Sequence, residues 1–210
     1  AMPLKINVPY AEKDIAKEKG AFWDKENKTW FIPDHKDINL FSKWIDTEKV
    51  SLIAKVPFWL GVTQKTCWKC NNITEVIALV SNNFLIYDYS DDDSDIKEWF
   101  FQDYFSFFSS PNYIDKEVLD IVCSRYPFFK LGFSKTVNGK YFANHCKCCG
   151  ALQGDFFMHE EPGGEFSPID MDGYKSITLI EVPYKFDLMI DASHSWASNE
   201  KEIFKYIRKS

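Results

Sequence analysis

Two Cys-x-x-Cys pairs, Cys67-Trp68-Lys69-Cys70 and Cys146-Lys147-Cys148-Cys149, constrain this chain more than any other feature. Sulfurs at that spacing can occupy two corners of one tetrahedral ion, and two such pairs complete a four-thiolate zinc site. The residue after each pair supports this. Asn71 and Gly150 are the types that most cheaply adopt the left-handed backbone closing a knuckle. The intervening chain, residues 71 to 145, exceeds the usual spacing. Loop-closure cost grows only slowly with length, so an inserted subdomain is no obstacle. The sequence predicts one structural Zn²⁺ on Cys67, Cys70, Cys146 and Cys149. Cys148 competes with Cys149 for the fourth place, and His145 and His159 stand in reserve. A closed thiolate site leaves no position for water, so its ion should fold the protein and not catalyse. Buried thiols without metal are the rival reading. A redox dithiol lacks the βαβ surroundings it needs at Cys67, and Cys123 reads as a core residue on an apolar helix face.

Composition narrows the function classes. Apolar residues make up 45% and aromatic residues 17%, which argues against disorder. A net charge of −6 excludes a globally basic phosphate binder and favours a basic partner, although a local basic patch stays open. No run approaches the roughly 20 apolar residues of a membrane span, and no signal-peptide pattern opens the chain. Ala1 before Met2 reads as an expression remnant. A cytoplasmic, reducing location is expected, where paired cysteines serve metals more often than disulfides.

Leu4 to Val8 alternates like a short strand stopped by Pro9. Tyr10 to Lys19 reads as a helix with Ile15 and Ala16 inward, ended by Gly20. Phe22-Trp23 and Thr29 to Ile32 suggest a hairpin, and Asp37 can cap a short helix carrying Leu40, Phe41 and Trp44. This segment carries Val8-Pro9-Tyr10, Lys13, Ala16-Lys17, Gly20-Ala21, Trp23-Asp24, Lys28, Trp30 and Pro33. That run resembles the short domain of unknown function appended to plasmid primases and other mobile-element DNA-handling proteins. The resemblance covers residues 3 to 46. It implies an accessory binding element with no catalytic residues to carry over.

Beyond the first knuckle, Val76 to Val80 and Phe84 to Tyr87 read as strands. Ile96 to Phe108 reads as a helix apolar almost all round, followed by a second helix at about Asp115 to Ser124. Asn138-Gly139 suggests a type I′ hairpin leading into the second knuckle. Asp155 to His159 and Ile177 to Val182 read as strands, with Phe156, Phe157 and Met158 in the core. Asn199 with Glu202 suggests a capping box on a terminal helix. The expected fold is α+β: an N-terminal α/β module over 3–46 and a zinc-ribbon-centred antiparallel β domain over 52–210. The latter carries a helical insertion at about 90–126.

The acidic loop with Asp88, Asp91, Asp92, Asp93 and Asp95 lacks the glycine and distal glutamate of an EF-hand. It reads as a solvated loop or, through Asp91, Asp92, Asp93 and Asp95, as a docking surface for a basic protein. His159-Glu160-Glu161 lacks the second histidine of a zinc-protease helix, and His194-Ser195 has no nucleophile pattern around it. Lys13, Lys17, Lys19, Lys25 and Lys28 beside Trp23 and Trp30 could grip single-stranded nucleic acid, but nearby acids nearly cancel their charge. The sequence thus points to a non-enzymatic protein acting through protein–protein binding. One version is a bacterial immunity protein inhibiting a basic toxin. The alternative is an accessory nucleic-acid-binding factor in DNA replication or mobile-element processing. No membrane partner is expected.

Overall fold

The computed structural model describes residues 4–91, 94–196 and 200–210. The N-terminal turn signals fold as their chemistry dictates. β1 (Leu4–Ile6) leads through a 3-10 turn (Tyr10–Glu12) into α1 (Lys13–Glu18), then β2 (Phe22–Asp24) and β3 (Thr29–Ile32). These strands form a sheet in the order β1-β3-β2. Gly20, at φ +99°, ends α1: its N–H bonds to Lys17 C=O, and the Ala21 N–H bonds to Ala16 C=O. Asp24 holds the β2–β3 turn by accepting from the Glu26 and Asn27 N–H groups. A 3-10 stretch, Ile38–Trp44, follows with the Asp37 carboxylate accepting from the Asn39 N–H.

The remainder builds a nine-stranded sheet. Its strands are β4 (Leu52–Ala54), β5 (Trp59–Thr66), β6 (Ile73–Ser81), β7 (Phe84–Tyr89), β8 (Lys97–Gln102) and β9 (Ser106–Ile114). After α2 (Lys116–Arg125) come β10 (Phe129–Ser134), β11 (Gly139–His145) and β12 (Leu152–Gln153), a separate three-stranded sheet. Then α3 (Met171–Lys175), β13 (Thr178–Glu181), β14 (Leu188–His194), α4 (Glu200–Tyr206) and β15 (Arg208–Lys209) finish the chain. The large sheet runs β15-β13-β5-β6-β9-β14-β4-β7-β8. Its pairings are antiparallel except β13 with β15.

Strand alternation sorts its residues between two cores. Ile77, Leu79 and Phe108 join Val118 and Val122 of α2 on one side. Val76, Ala78, Val80, Phe105 and Phe107 pack with Ile177 and Ile203 on the other. The N-terminal module is fastened to the body. Its core residues Leu4, Trp30, Phe41 and Trp44 pack with Ile53 and Trp99. The Asn39 side chain accepts from the Trp99 N–H at 2.8 Å and donates to the Trp99 C=O at 3.2 Å, pairing with edge strand β8 as a neighbouring strand would.

Several expectations are corrected. Residues 96–108 are not a helix but β8 and the start of β9. In β9 both faces are buried, Phe107 on one side and Phe108 on the other, while β8 buries Trp99 and leaves Phe101 exposed. Periodicity alone cannot separate such apolar strands from a buried helix. The insertion at 90–126 is therefore helical only in α2, which Asp115 caps by accepting from the Glu117 N–H. The β10–β11 turn is a four-residue loop, 135–138, because Ser134 pairs with Gly139; Asn138 alone takes positive φ there. Residues 156–160 form a π-helical turn and not a strand; it buries Met158 but leaves Phe156 and Phe157 exposed. In α1 only Ala16 faces the core, and Ile15 points outward. The proposed cap at Asn199 lies outside the described residues.

Candidate functional site

Each cysteine pair sits on a strand-borne turn. Cys67 follows β5 and opens the turn into β6, while Cys146 follows β11 and opens the turn into β12. The two turns repeat one hydrogen-bond scheme. The Asn71 N–H donates to Cys67 C=O and the Cys67 N–H to Asn72 C=O; the Gly150 N–H donates to Cys146 C=O and the Cys146 N–H to Ala151 C=O. Asn71 (φ 60°) and Gly150 (φ 71°) take the left-handed backbone that the closing residue needs. Three further bonds dock the ribbon onto the body. The Asn144 side chain accepts from the Ile77 N–H and donates to its C=O, and the Lys147 N–H donates to Thr74 Oγ1.

The Sγ atoms of Cys67, Cys70, Cys146 and Cys149 all lie within 4.8 Å of one another. Cys67 to Cys149 and Cys70 to Cys146 are both 3.7 Å. A tetrahedron of Zn–S bonds near 2.3 Å has edges of about 3.8 Å, so the cluster is suited to hold a metal ion. Cys148 is exposed and does not join it. Of the reserve ligands, His145 bonds through Nδ1 to the Phe128 and Ala143 carbonyls. His159 lies buried against the Phe166 ring, where burial lowers its pKa to about 3 and keeps it neutral.

The surroundings favour the thiolate at Cys67 and Cys146, while burial and the neighbouring thiols raise the Cys149 pKa to about 12. Burial works against the charged form of Cys67, but the Cys70 and Lys69 N–H groups and the neighbouring thiols outweigh it, bringing Cys67 down to about 6. The Lys69 N–H reaches Cys67 Sγ at 3.4 Å, and the Cys148 N–H reaches Cys146 Sγ at the same distance. Gln153, fully buried, adds a side-chain donor: Nε2 lies 3.3 Å from Cys67 Sγ and 2.8 Å from Ala151 C=O. No spacing rule exposes Gln153 in the sequence; it becomes visible only once β12 is laid beside the knuckle. Replacing a ligand's orienting partner typically costs 10–100-fold in metal affinity. Gln153→Leu is therefore expected to release its metal roughly tenfold or more readily to a chromogenic chelator. Unchanged retention would show the hydrogen bond to be idle.

The acidic loop shows no comparable convergence. Asp91 and Asp95 are exposed on the β7–β8 connection, while Asp92 and Asp93 lie outside the described residues. Among the described residues, the four cysteines form the one group of three or more potential ligands close enough to share an ion.

A second feature lies in the N-terminal module. Tyr10, Lys13, Lys17, Trp23 and Trp30 line a concavity of about 270 Å³. Lys13 and Lys17 sit one turn apart on α1, and Trp23 and Trp30 are cross-strand partners with ring centroids 5.6 Å apart, edge to face. Lys13 Nζ lies 4.0 Å from the Tyr10 ring centroid and 2.9 Å from its hydroxyl. Lys19, by contrast, is engaged by the Leu40 carbonyl, and Lys25 and Lys28 lie in the β2–β3 turn, away from this wall. Tyr10, which the sequence marks only within the Val8-Pro9-Tyr10 run, joins the site from a 3-10 turn and not from the helix.

Residues 4–46 match the DUF5710 family model. The family is described as a domain of unknown function, and the match covers the whole N-terminal module. Two proteins named DNA primase TraC, both from Escherichia coli, share 51% and 44% identity with this chain over 39 residues. Those residues are 19% of this chain but 3% and 4% of the two primases, so the chain spans only a small part of their length. No solved structure matches the chain. Among the described residues, no helix is long and apolar enough to cross a membrane.

Proposed function

We propose that this chain is a non-enzymatic accessory factor in DNA handling. In this reading it binds single-stranded nucleic acid through its N-terminal module and is held together by one structural Zn²⁺. The observation that carries the reading is the concavity of Tyr10, Trp23 and Trp30 beside Lys13 and Lys17, inside the segment similar to DNA primase TraC. The exposed rings of Tyr10 and Trp23, with Trp30 buried beside them, offer stacking to any base, and two ammonium groups offer contacts to its phosphates. Four thiolates in a tetrahedron suit zinc. The immunity-type reading rests on the acidic loop and the overall charge of −6, and the relatives, which are named as primases, lend it nothing.

Fluorescence anisotropy with a labelled single-stranded oligonucleotide, across a salt series, tests the proposal. Binding is expected at low salt and should weaken as salt rises, because the net charge of −6 leaves only local attraction. Trp23→Ala should weaken it about fivefold or more, the scale of one lost stacking contact. Lys13→Glu with Lys17→Glu should flatten the salt dependence by about 0.7 in log–log slope per lost phosphate contact. Absence of measurable affinity at low salt would remove the reading.

A further inference from the structure

The chain's charge is segregated. Between residues 121 and 154 there is no Asp or Glu, yet Arg125, Lys130, Lys135, Lys140 and Lys147 all fall there. Residues 65–74 of the first knuckle add Lys65 and Lys69, again with no acid. The ribbon is thus a basic island in a chain of net charge −6. A divalent ion on four thiolates leaves −2 at the metal, which does not reverse the sign.

Position sharpens the pattern. Lys65 and Lys147 face Glu165 and Glu75. Among the described residues, no carboxylate lies within ion-pair distance of Lys69, Lys130, Lys135 or Lys140, and all four are exposed. The β10–β11 register pairs Phe133 with Lys140 and Leu131 with Phe142, placing Leu131, Phe133 and Lys140 on one face of the hairpin. Toward its base that face turns inward at Phe129; toward the tip it is open, with Leu131 and Phe133 each more than half exposed. β10 is also the edge strand of its sheet. The hairpin tip therefore presents an aromatic ring and an aliphatic side chain among lysines that no acid neutralises, on a scaffold fixed to the body through Asn144.

We infer that the tip of the β10–β11 hairpin is a second contact for single-stranded nucleic acid. Phe133 stacks a base, and Lys135 and Lys140 contact the flanking phosphates. The inference rests on the nucleic-acid reading but uses none of the N-terminal residues. Charge complementarity selects a polyanion, and the ring selects one that carries bases over a merely acidic protein.

The test uses the full zinc-loaded chain, a labelled oligothymidylate, and poly-glutamate as a base-free polyanion. Phe133→Ala is expected to weaken oligothymidylate binding about fivefold or more with the salt slope unchanged. Phe133→Trp should retain it. Lys135→Glu with Lys140→Glu should lower the log–log salt slope by about 1.4, two single-strand phosphate contacts. These side chains are exposed, so the variants should melt as the wild type does. Wild-type binding lost in the Trp23 variant but unmoved by every hairpin variant would overturn the hairpin contact and leave the proposed function standing. No wild-type binding would overturn both. Poly-glutamate binding as tightly as oligothymidylate, with Phe133→Ala without effect, would assign the tip to an acidic protein and overturn the inference.

Discussion

Cys67→Ser is expected to strip the chain of metal and unfold its ribbon. The purified wild type should carry about one zinc per chain by mass spectrometry, and the variant none. The size of the effect follows from what the four sulfurs join. Cys67 and Cys70 lie on the β5–β6 turn and Cys146 and Cys149 on the β11–β12 turn, so one ion closes the chain across residues 71 to 145. A clip across so long a loop removes much freedom from the unfolded chain. Apparent zinc-binding free energies of about 10–16 kcal/mol in small fingers rival the whole stability of a typical domain. The body keeps two cores independent of the metal, so the loss should centre on the ribbon and on the tips of β5 and β6. Each kcal/mol lost lowers Tm by roughly 2–4 °C in a chain of this size, so several kcal/mol give a drop of about 10 °C or more. Cys148→Ser, outside the cluster, should change neither metal content nor Tm. A wild type free of metal after purification without chelators, or a Cys67→Ser variant melting like the wild type, would refute the site.

That the knuckles could be read from the sequence, while much of the sheet could not, has a physical cause. A knuckle is local: six or seven residues specify the sulfur spacing, the left-handed turn and the hydrogen bonds that close it. The same holds for Gly20 ending α1, Asp24 folding the β2–β3 turn and Asp115 capping α2. The aromatic run at 96–108 carries no such local information. Trp99 is buried by the N-terminal module, Phe107 by one core and Phe108 by the other, three partners that only the tertiary structure supplies. The hairpin into the second knuckle misled differently. Asn138-Gly139 favours a two-residue turn, but register is set where Phe129 and Asn144 dock on the body, and the loop absorbs the remainder. The candidate nucleic-acid surfaces were half legible. Lys13, Lys17, Trp23 and Trp30 stood out as residue types, whereas Tyr10 and Phe133 needed the fold to place them.

Asp155→Asn is expected to gain stability relative to the wild type as pH rises from 4 to 8. Asp155 leaves the ribbon just after β12 and is buried beside an irregular stretch of β9. There Ser110 takes φ +48°, and its N–H donates to the Asp155 carboxylate at 2.6 Å. Burial raises the Asp155 pKa from its usual 3.8 to about 7, against the opposing pull of the Ser110 N–H. Above pH 4 the unfolded chain gives up this proton while the folded chain keeps it until about 7. The folded state binds more protons through that window, so stability falls as pH rises across it. At 1.36 kcal/mol per pH unit, the cost grows to about 4 kcal/mol by pH 8. His159 works in the opposite sense. Its folded pKa of about 3 lies below its usual 6.5, so it contributes stability that grows from pH 3 to 6.5. The two slopes oppose each other between pH 4 and 6.5, and the wild-type profile should be comparatively flat there. Asparagine keeps an oxygen for the Ser110 N–H but carries no proton to lose. Chemical denaturation of both proteins at pH 4, 6 and 8 should therefore show the gap moving in favour of Asp155→Asn by several kcal/mol, while its own profile rises steeply up to about pH 6.5. A gap that stays constant from pH 4 to pH 8 would mean that Asp155 ionises in the fold as freely as it does in water.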